Sequence, residues 1–336
     1  MANEYDVVVV GAGTGGYVAA IRAAQLGLKV AVVERQKALG GTCLIWGCIP
    51  TKALLEHAHA LKVAQAAKEW GLLGVDGAAV TIDMPAVHAR KDKIVSGLTG
   101  GIEMLFKKNK IDWIKGTARL TGQRGVEVTL HDGGKQALSA TKEIIVATGS
   151  SPRSVPGITA DGKQIIFSDQ AIHLPSVPRS IAIMGSGAVG VEFASIFKSY
   201  GSEVTVIELL PRLVPGEDEA VSAELERAFK KRGIKVMTGS KVTSAKAGAK
   251  GVDIEVQGGD PSTGSGQGGK SQKLAFDLLL VATGRGPVTE GLGVEALGIK
   301  LDRGYVVVDS LFHTNVPGIS AIGDVITMGG PHYQLA

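Results

Sequence analysis

An internal repeat constrains this chain more than any other feature. Tyr5 to Val10 reads as a strand buried on both faces, and Gly11-Ala-Gly-Thr-Gly-Gly16 follows at once. Tyr17 to Leu26 reads as a helix closed by Gly27, and Lys29 to Glu34 as a second strand ending in an acid. The pattern returns at Ser180 to Met184, Gly185-Ser-Gly-Ala-Val-Gly190, a helix over 191–200, and a strand from Glu203 to Glu208. In both copies the acid stands 23 residues after the first glycine. A strand, a glycine turn, a helix and a second strand ending in a carboxylate make a βαβ unit. Its turn admits a pyrophosphate at the helix N-terminus, and its acid accepts from ribose hydroxyls. Ile144 to Gly149 is echoed by Leu279 to Gly284, so the repeat extends beyond the two turns. The reading is an α/β chain with two Rossmann-like dinucleotide-binding domains, holding two nucleotide cofactors that exchange electrons. The alternative, a duplicated fold with one dead site, leaves the second complete fingerprint unexplained. Glu208 favours a ribose with a free 2′-hydroxyl, hence NAD over NADP, although Arg212 follows closely.

The chain's only two cysteines, Cys43 and Cys48, have four residues between them. Closing so short a loop restricts the unfolded chain little, which makes a structural staple a poor reading. Zinc is also a poor reading, because no further Cys or His stands at ligand spacing. Pro50 and the helix-forming run that follows place Cys48 near a helix N-terminus, where the dipole favours a thiolate. A redox-active pair therefore fits better than two inert buried cysteines.

The remaining segments read as a helix from Pro85 to Lys108, a meander of short strands from Asp112 to Ala140, a short strand from Gly304 to Asp309, and a strand from Val316 running into Gly323-Asp324. Asp324 stands where a strand-end acid holds ribose or ribitol hydroxyls, or serves as an ordinary turn residue. Residues 258–271 are low-complexity and read as a solvated hairpin tip. The net charge of +4 is small for 336 residues, which argues against nucleic acid as the main partner. No apolar run is long enough for a bilayer, and no leader pattern opens the chain. A cytoplasmic location without a membrane partner is expected.

These motifs together resemble the flavoprotein disulfide reductases (the pyridine nucleotide-disulfide oxidoreductases), and within them the dihydrolipoamide dehydrogenases. The resemblance rests on Gly11-x-Gly-x-x-Gly16 with Glu34, Gly40-Gly-Thr-Cys43-x4-Cys48-Ile-Pro-x-Lys52, Ala147-Thr-Gly149, Gly185-x-Gly-x-x-Gly190 with Glu192 and Glu208, Ala282-Thr-Gly284-Arg285, and Gly323-Asp324. It implies an FAD domain over 1–150, an inserted NAD domain over 151–282, and a return to the FAD domain over 283–336. FAD would be held by Gly11, Gly13, Gly16, Glu34, Gly41, Thr42, Lys52, Gly116, Ala118, Thr148, Gly149, Asp324 and Ala336. NAD would be held by Gly185, Gly187, Val189, Gly190, Glu208, Val242, Gly284 and Arg285. Cys43 would exchange with substrate, Cys48 would face the flavin, and Lys52 would pair with Glu192. No metal is implied. The substrate would be a small dithiol or disulfide, such as the lipoyl group of a 2-oxo acid dehydrogenase complex or glycine cleavage protein. Mercuric reductase, another disulfide reductase, or a non-catalytic redox-sensing module are the alternatives.

Four positions depart from the family pattern: Thr14, Ile45 and Trp46 between the cysteines, and Ser320. The family continues past Ala336 into an interface domain that forms the dimer and brings a His-Glu acid-base pair, whereas His332 has no downstream Glu. The expectation is a form without that domain, with a doubtful homodimer and activity limited to the diaphorase type. Loss of a positioned acid-base group slows proton transfer by about 10²–10⁴-fold.

Overall fold

The computed structural model describes residues 3–122, 124–258 and 271–327. The chain forms two compact units, residues 1–49, 94–151 and 285–336, and residues 50–93 and 152–284.

In the first unit, Asn3–Val10 is the central strand. It pairs in parallel with Val30–Glu34 on one side and Lys135–Val146 on the other, and these extend to Asp112–Gly122 and Ile319–Ala321. Val7 and Val9 pack into one buried cluster with Ala20 and Phe106, while Val8 and Val10 pack into another with Ile144 and Val306. The sheet is thus covered on both faces, which is why its strands are nearly unbroken apolar runs. The far ends of the two long strands continue into an antiparallel meander with Gly125–Leu130. Val10 stands opposite Val33 and Val146, and Val146 opposite Ala321, so the strand ends lie level and the glycine turn leaves from that edge.

The second unit repeats this plan. Its parallel sheet runs in the spatial order Lys235–Met237, Glu203–Ile207, Ser180–Met184, Leu278–Val281, Ile165–Ile166. A three-stranded antiparallel sheet of Ser240–Gly248, Gly251–Gly258 and Gln272–Phe276 packs Val252, Ile254 and Val256 into the same cluster as Ala182 and Leu279.

Residues 50–93 were expected in the first unit but group with the second. Specific bonds hold them there: Tyr200 Oη donates to Leu54 O (3.0 Å), Lys91 Nζ to Ile172 O (2.9 Å), and His88 Nε2 to Leu174 O (2.8 Å). The run from Val316 to Asp324 is also not one strand. Gly318 and Gly323 take φ of +79° and +77°, which limits the paired strand to Ile319–Ala321, and Gly323–Val325 forms a 3₁₀ turn. Most of the low-complexity tip, residues 259–270, lies outside the described residues, as do His332 and Ala336.

Among the described residues, no helix is long and apolar enough to cross a membrane.

Candidate functional site

Each unit carries its own glycine turn, and the two match bond for bond. Gly11 N donates to Val33 O (2.8 Å) and Gly185 N to Ile207 O (2.9 Å). Ala147 N donates to Val10 O and Ala282 N to Met184 O, both at 2.8 Å. Gly11 and Gly185 both take φ of +101°. A Cβ on Gly11 would strike Ala147 O, and one on Gly185 would strike Ala282 O. A Cβ on Gly16 would strike Gly11 O, and one on Gly190 would strike Gly185 O. The first glycine lets the turn form, and the third lets helix and strand approach.

The helices that leave these turns, Thr14–Gln25 and Ala188–Tyr200, have no side-chain cap and no acid in the first turn. Helix Glu219–Lys231 is different: Asp218 accepts from Ala220 N (2.8 Å) at its start. Uncapped N-termini leave donors for an anion, and the exposed Gly187 has nothing within 4 Å of where its Cβ would stand. Two pyrophosphate-bearing nucleotides fit this arrangement.

The strand-end acids are fixed by backbone. Glu34 accepts from Ala12 N (2.7 Å) and Gln36 N (2.8 Å). Glu208 accepts from Ser186 N (2.8 Å) and Leu210 N (2.9 Å), and Ser186 Oγ adds a third bond at 2.8 Å. Both acids are buried side chains aligned by their own turns. Arg212 is committed to Glu219 (2.6 Å) and to the carbonyls of Pro215 and Glu217 (both 3.1 Å), so its guanidinium is tied into its own loop.

In the first unit a groove runs along the sheet edge past Glu34, Thr42, Trp46, Ala118, Gly149 and Ser150. Gly41, at φ +59°, lies against Gly13 with no room for a side chain, and Gly40 N donates to Ala12 O (2.9 Å). These contacts set the cysteine segment on the glycine turn. Thr42–Trp46 forms one π-type turn, and the helix Cys48–Gln65 begins at the second cysteine. Cys43 and Cys48 are both partly exposed.

Asp324 gives the clearest fit to a polyol ligand. Its Oδ2 accepts from Ser150 Oγ (2.7 Å), while its Oδ1 is buried and has no hydrogen-bond partner among the described residues. A buried carboxylate oxygen without a donor is costly, and a polyol hydroxyl would satisfy it. The ribityl chain of a flavin fits that requirement.

In the second unit Lys52 Nζ donates to Glu192 Oε1 at 2.6 Å, the pairing that the resemblance implies. Val189 is partly exposed beside the turn. Val242 is buried in the core opposite Val256, which leaves its side chain no route to a ligand. Gly284 takes φ +121°. Arg285, grouped with the NAD set, belongs instead to the first unit. There it donates to Ser150 Oγ (2.8 Å), Ser150 O (2.7 Å) and Thr42 Oγ1 (3.1 Å). The reversal at Gly284 turns the chain at that point. Thr148 Oγ1 donates to Val288 O (2.6 Å), which holds the Ala-Thr-Gly turn in place.

Sequence reading missed Ser150 and Ser186. Ser150 directly follows a motif that was noticed, but its tie to Asp324 crosses 174 positions. Ser186 occupies the variable place of its turn, where the first unit has Ala12, and that contrast was the available signal.

The model of the Pyridine nucleotide-disulphide oxidoreductase family matches residues 5–336. Dihydrolipoyl dehydrogenase 3 of Pseudomonas putida is 46% identical over 323 residues, covering 96% of this chain and 67% of the relative. Dihydrolipoyl dehydrogenase of Rhizobium etli is 44% identical over 340 residues, covering 97% and 68%. Among solved structures, LpdA from Mycobacterium tuberculosis matches with a TM-score of 0.84 at 26% identity, over 97% of this chain and 68% of that one. The HOCl-induced flavoprotein disulfide reductase RclA from Escherichia coli matches with a TM-score of 0.79 at 29% identity, over 98% and 67%. The chain thus spans about two thirds of the length of these relatives.

Proposed function

The chain belongs to the pyridine nucleotide-disulphide oxidoreductase family, and on that premise we propose that its first unit holds FAD and its second NAD. It is a dihydrolipoyl dehydrogenase-like flavoprotein disulfide oxidoreductase, an enzyme class that uses both cofactors. The observation that carries the division of labour is the duplicated cradle of glycine turn, uncapped helix and backbone-fixed acid.

Gly11, Gly13 and Gly16 receive one pyrophosphate at the N-terminus of Thr14–Gln25, and Glu34 accepts from the ribose. The backbone of Gly116–Ala118, along the groove, borders the adenine end, and Asp324 takes a ribityl hydroxyl on its free Oδ1. Gly185, Gly187, Gly190 and Glu208 do the same for NAD. Supporting this choice of nicotinamide, the buried Glu208 would repel a 2′-phosphate and Arg212 is already bonded.

Cys43 and Cys48 carry the exchange with substrate. A thiolate of a reduced lipoyl group attacks Cys43 Sγ of the oxidised pair, and Cys48 leaves as thiolate. The second lipoyl thiol then displaces Cys43, so two substrate thiols become a disulfide while the protein disulfide becomes two thiols. Cys48 begins its helix, so the leaving thiol stands at the helix N-terminus. Glu192 holds the Lys52 ammonium in place. When bound, FAD supplies the two-electron relay from this thiol pair to NAD⁺.

An anaerobic titration with NADH, followed in the visible spectrum of FAD-loaded protein, tests the reading. Bleaching together with a long-wavelength thiolate-flavin band is expected, as is NADH-dependent reduction of artificial acceptors. Protein that FAD cannot reconstitute overturns the proposal. Bleaching without the band reduces it to a plain NADH-flavin reductase.

A further inference from the structure

The second unit has another recess, of about 570 Å³, that shares no lining residue with either glycine turn. It is lined by Lys62 and His59 from the helix Cys48–Gln65, by Ser195, Lys198 and Ser199 from Ala188–Tyr200, and by Arg232, which closes Glu219–Lys231. Three formal positive charges face it and no carboxylate lines it.

These cations are bonded differently from several arginines of the same unit. Arg179, Arg212 and Arg227 each sit on a carboxylate, as does Lys230. Among the described residues, Lys62, Lys198 and Arg232 form no ion pair; Lys62 reaches only the neutral Gln65 Oε1 (3.2 Å). Arg232 donates to Ser195 Oγ (2.9 Å), Ser199 Oγ (2.9 Å) and Ser195 O (3.1 Å), so its partners are neutral. Both hydroxyl oxygens accept from the guanidinium, which leaves their own protons to donate elsewhere. Lys198 Nζ lies 3.5 Å from where a Cβ on Gly233 would stand, beside Arg232 in sequence. Like charges gathered without a counterion repel, and partial desolvation already pulls the Arg232 pKa below its usual value.

A simple structural role explains part of this. Cations near helix C-termini offset the helix dipole, and Arg232 ties two helices together. It does not explain why three such cations converge on one recess whose lining holds no carboxylate.

We propose that this recess is a binding site for a small phosphate-bearing anion, a di- or oligophosphate, gripped by Arg232, Lys198 and Lys62 with the two serine hydroxyls. The guanidinium fork and the hydroxyls suit phosphate oxygens, and three positive charges match a pyrophosphate group. The volume lies in the range of small-molecule sites, about 300–1,000 Å³, so it admits an organic group beyond the phosphates.

The test is calorimetric titration of inorganic pyrophosphate into FAD-loaded protein at low salt, with and without saturating NAD. The wild type is compared with the double variant Lys62→Gln/Lys198→Gln, which touches neither glycine turn and removes no bond to backbone. One site is expected that persists with NAD and weakens by about 10-fold or more in the variant, since charge-assisted contacts are lost. With NAD saturating, so that the glycine turn is filled, pyrophosphate should raise the wild-type melting temperature and leave the variant's unchanged. Without pyrophosphate the variant should melt no lower than wild type, because repulsion is relieved. Equal affinity in the two proteins, loss of binding on adding NAD, or the same melting shift from chloride at matched ionic strength each overturns the proposal. The variant leaves NAD binding untouched, so this result and the nucleotide assignment are judged separately.

Discussion

Asp324→Asn separates ligand binding from folding, because its two effects should have opposite signs. In the native chain Ser150 Oγ receives a hydrogen bond from Arg285 Nε (2.8 Å), so its own proton points to Asp324 Oδ2 at 2.7 Å. Asparagine can keep that bond through its carbonyl oxygen. Its amide then replaces the buried, unpartnered Oδ1, putting a donor where the native chain offers an acceptor. Hydrogen bonds to a charged partner contribute about 1.5–3 kcal/mol, so FAD should bind about 10- to 100-fold more weakly. The apoprotein should behave in the opposite way. Leaving a charged oxygen buried without a donor costs at least about 1–3 kcal/mol, and a neutral amide costs less. Apoprotein stability should therefore be unchanged or rise by about 1 kcal/mol. Titrating FAD into apoprotein by flavin fluorescence gives the first quantity, and urea unfolding of the apoprotein gives the second. An unchanged FAD affinity with a less stable apoprotein would refute the reasoning and make Asp324 an ordinary turn residue.

Three further outcomes follow from the same geometry. Gly16→Ala and Gly190→Ala each drive a methyl into the carbonyl of the first glycine, so the first should abolish FAD retention and the second NADH-dependent bleaching, each with about 3 kcal/mol or more of destabilisation in denaturant unfolding. Glu208→Gln weakens three hydrogen bonds and removes the charge, and should lower NAD affinity about 10-fold with FAD affinity unchanged by equilibrium titration. Burial, then the Lys91 ammonium 2.9 Å away, hold the His173 pKa below its usual 6.5, so the unfolded chain binds that proton first. Stability should fall as pH drops below about 6.5, by at most about 1.4 kcal/mol per pH unit for this group, and be unaffected by it above; His173→Gln should flatten that slope in unfolding curves at pH 5 and 7.

What could be read from sequence was local and steric. Gly16 and Gly190 are legible because each lies five positions from the carbonyl it must clear, and the acids because each ends the strand that follows. Residues 50–93, which the resemblance counts with 1–150, pack with the second unit, and sequence spacing shows that a face is buried but not against what. Bonds such as those from Tyr200 to Leu54, Lys91 to Ile172 and His88 to Leu174 identify the partner. Arg285 was assigned by its neighbour Gly284, yet a φ of +121° there lets adjacent residues serve different units. The same limit hides the cationic recess, whose charges come from positions 62, 198 and 232 and form no local pattern. Ser186 lies between these cases. Its hydroxyl gives Glu208 a bond that Ala12 cannot give Glu34, so the second acid has less capacity left for a ribose than the first. The unit with the more heavily bonded acid should hold its nucleotide less tightly. That ordering suits an enzyme whose FAD stays bound while NAD must leave at every turnover.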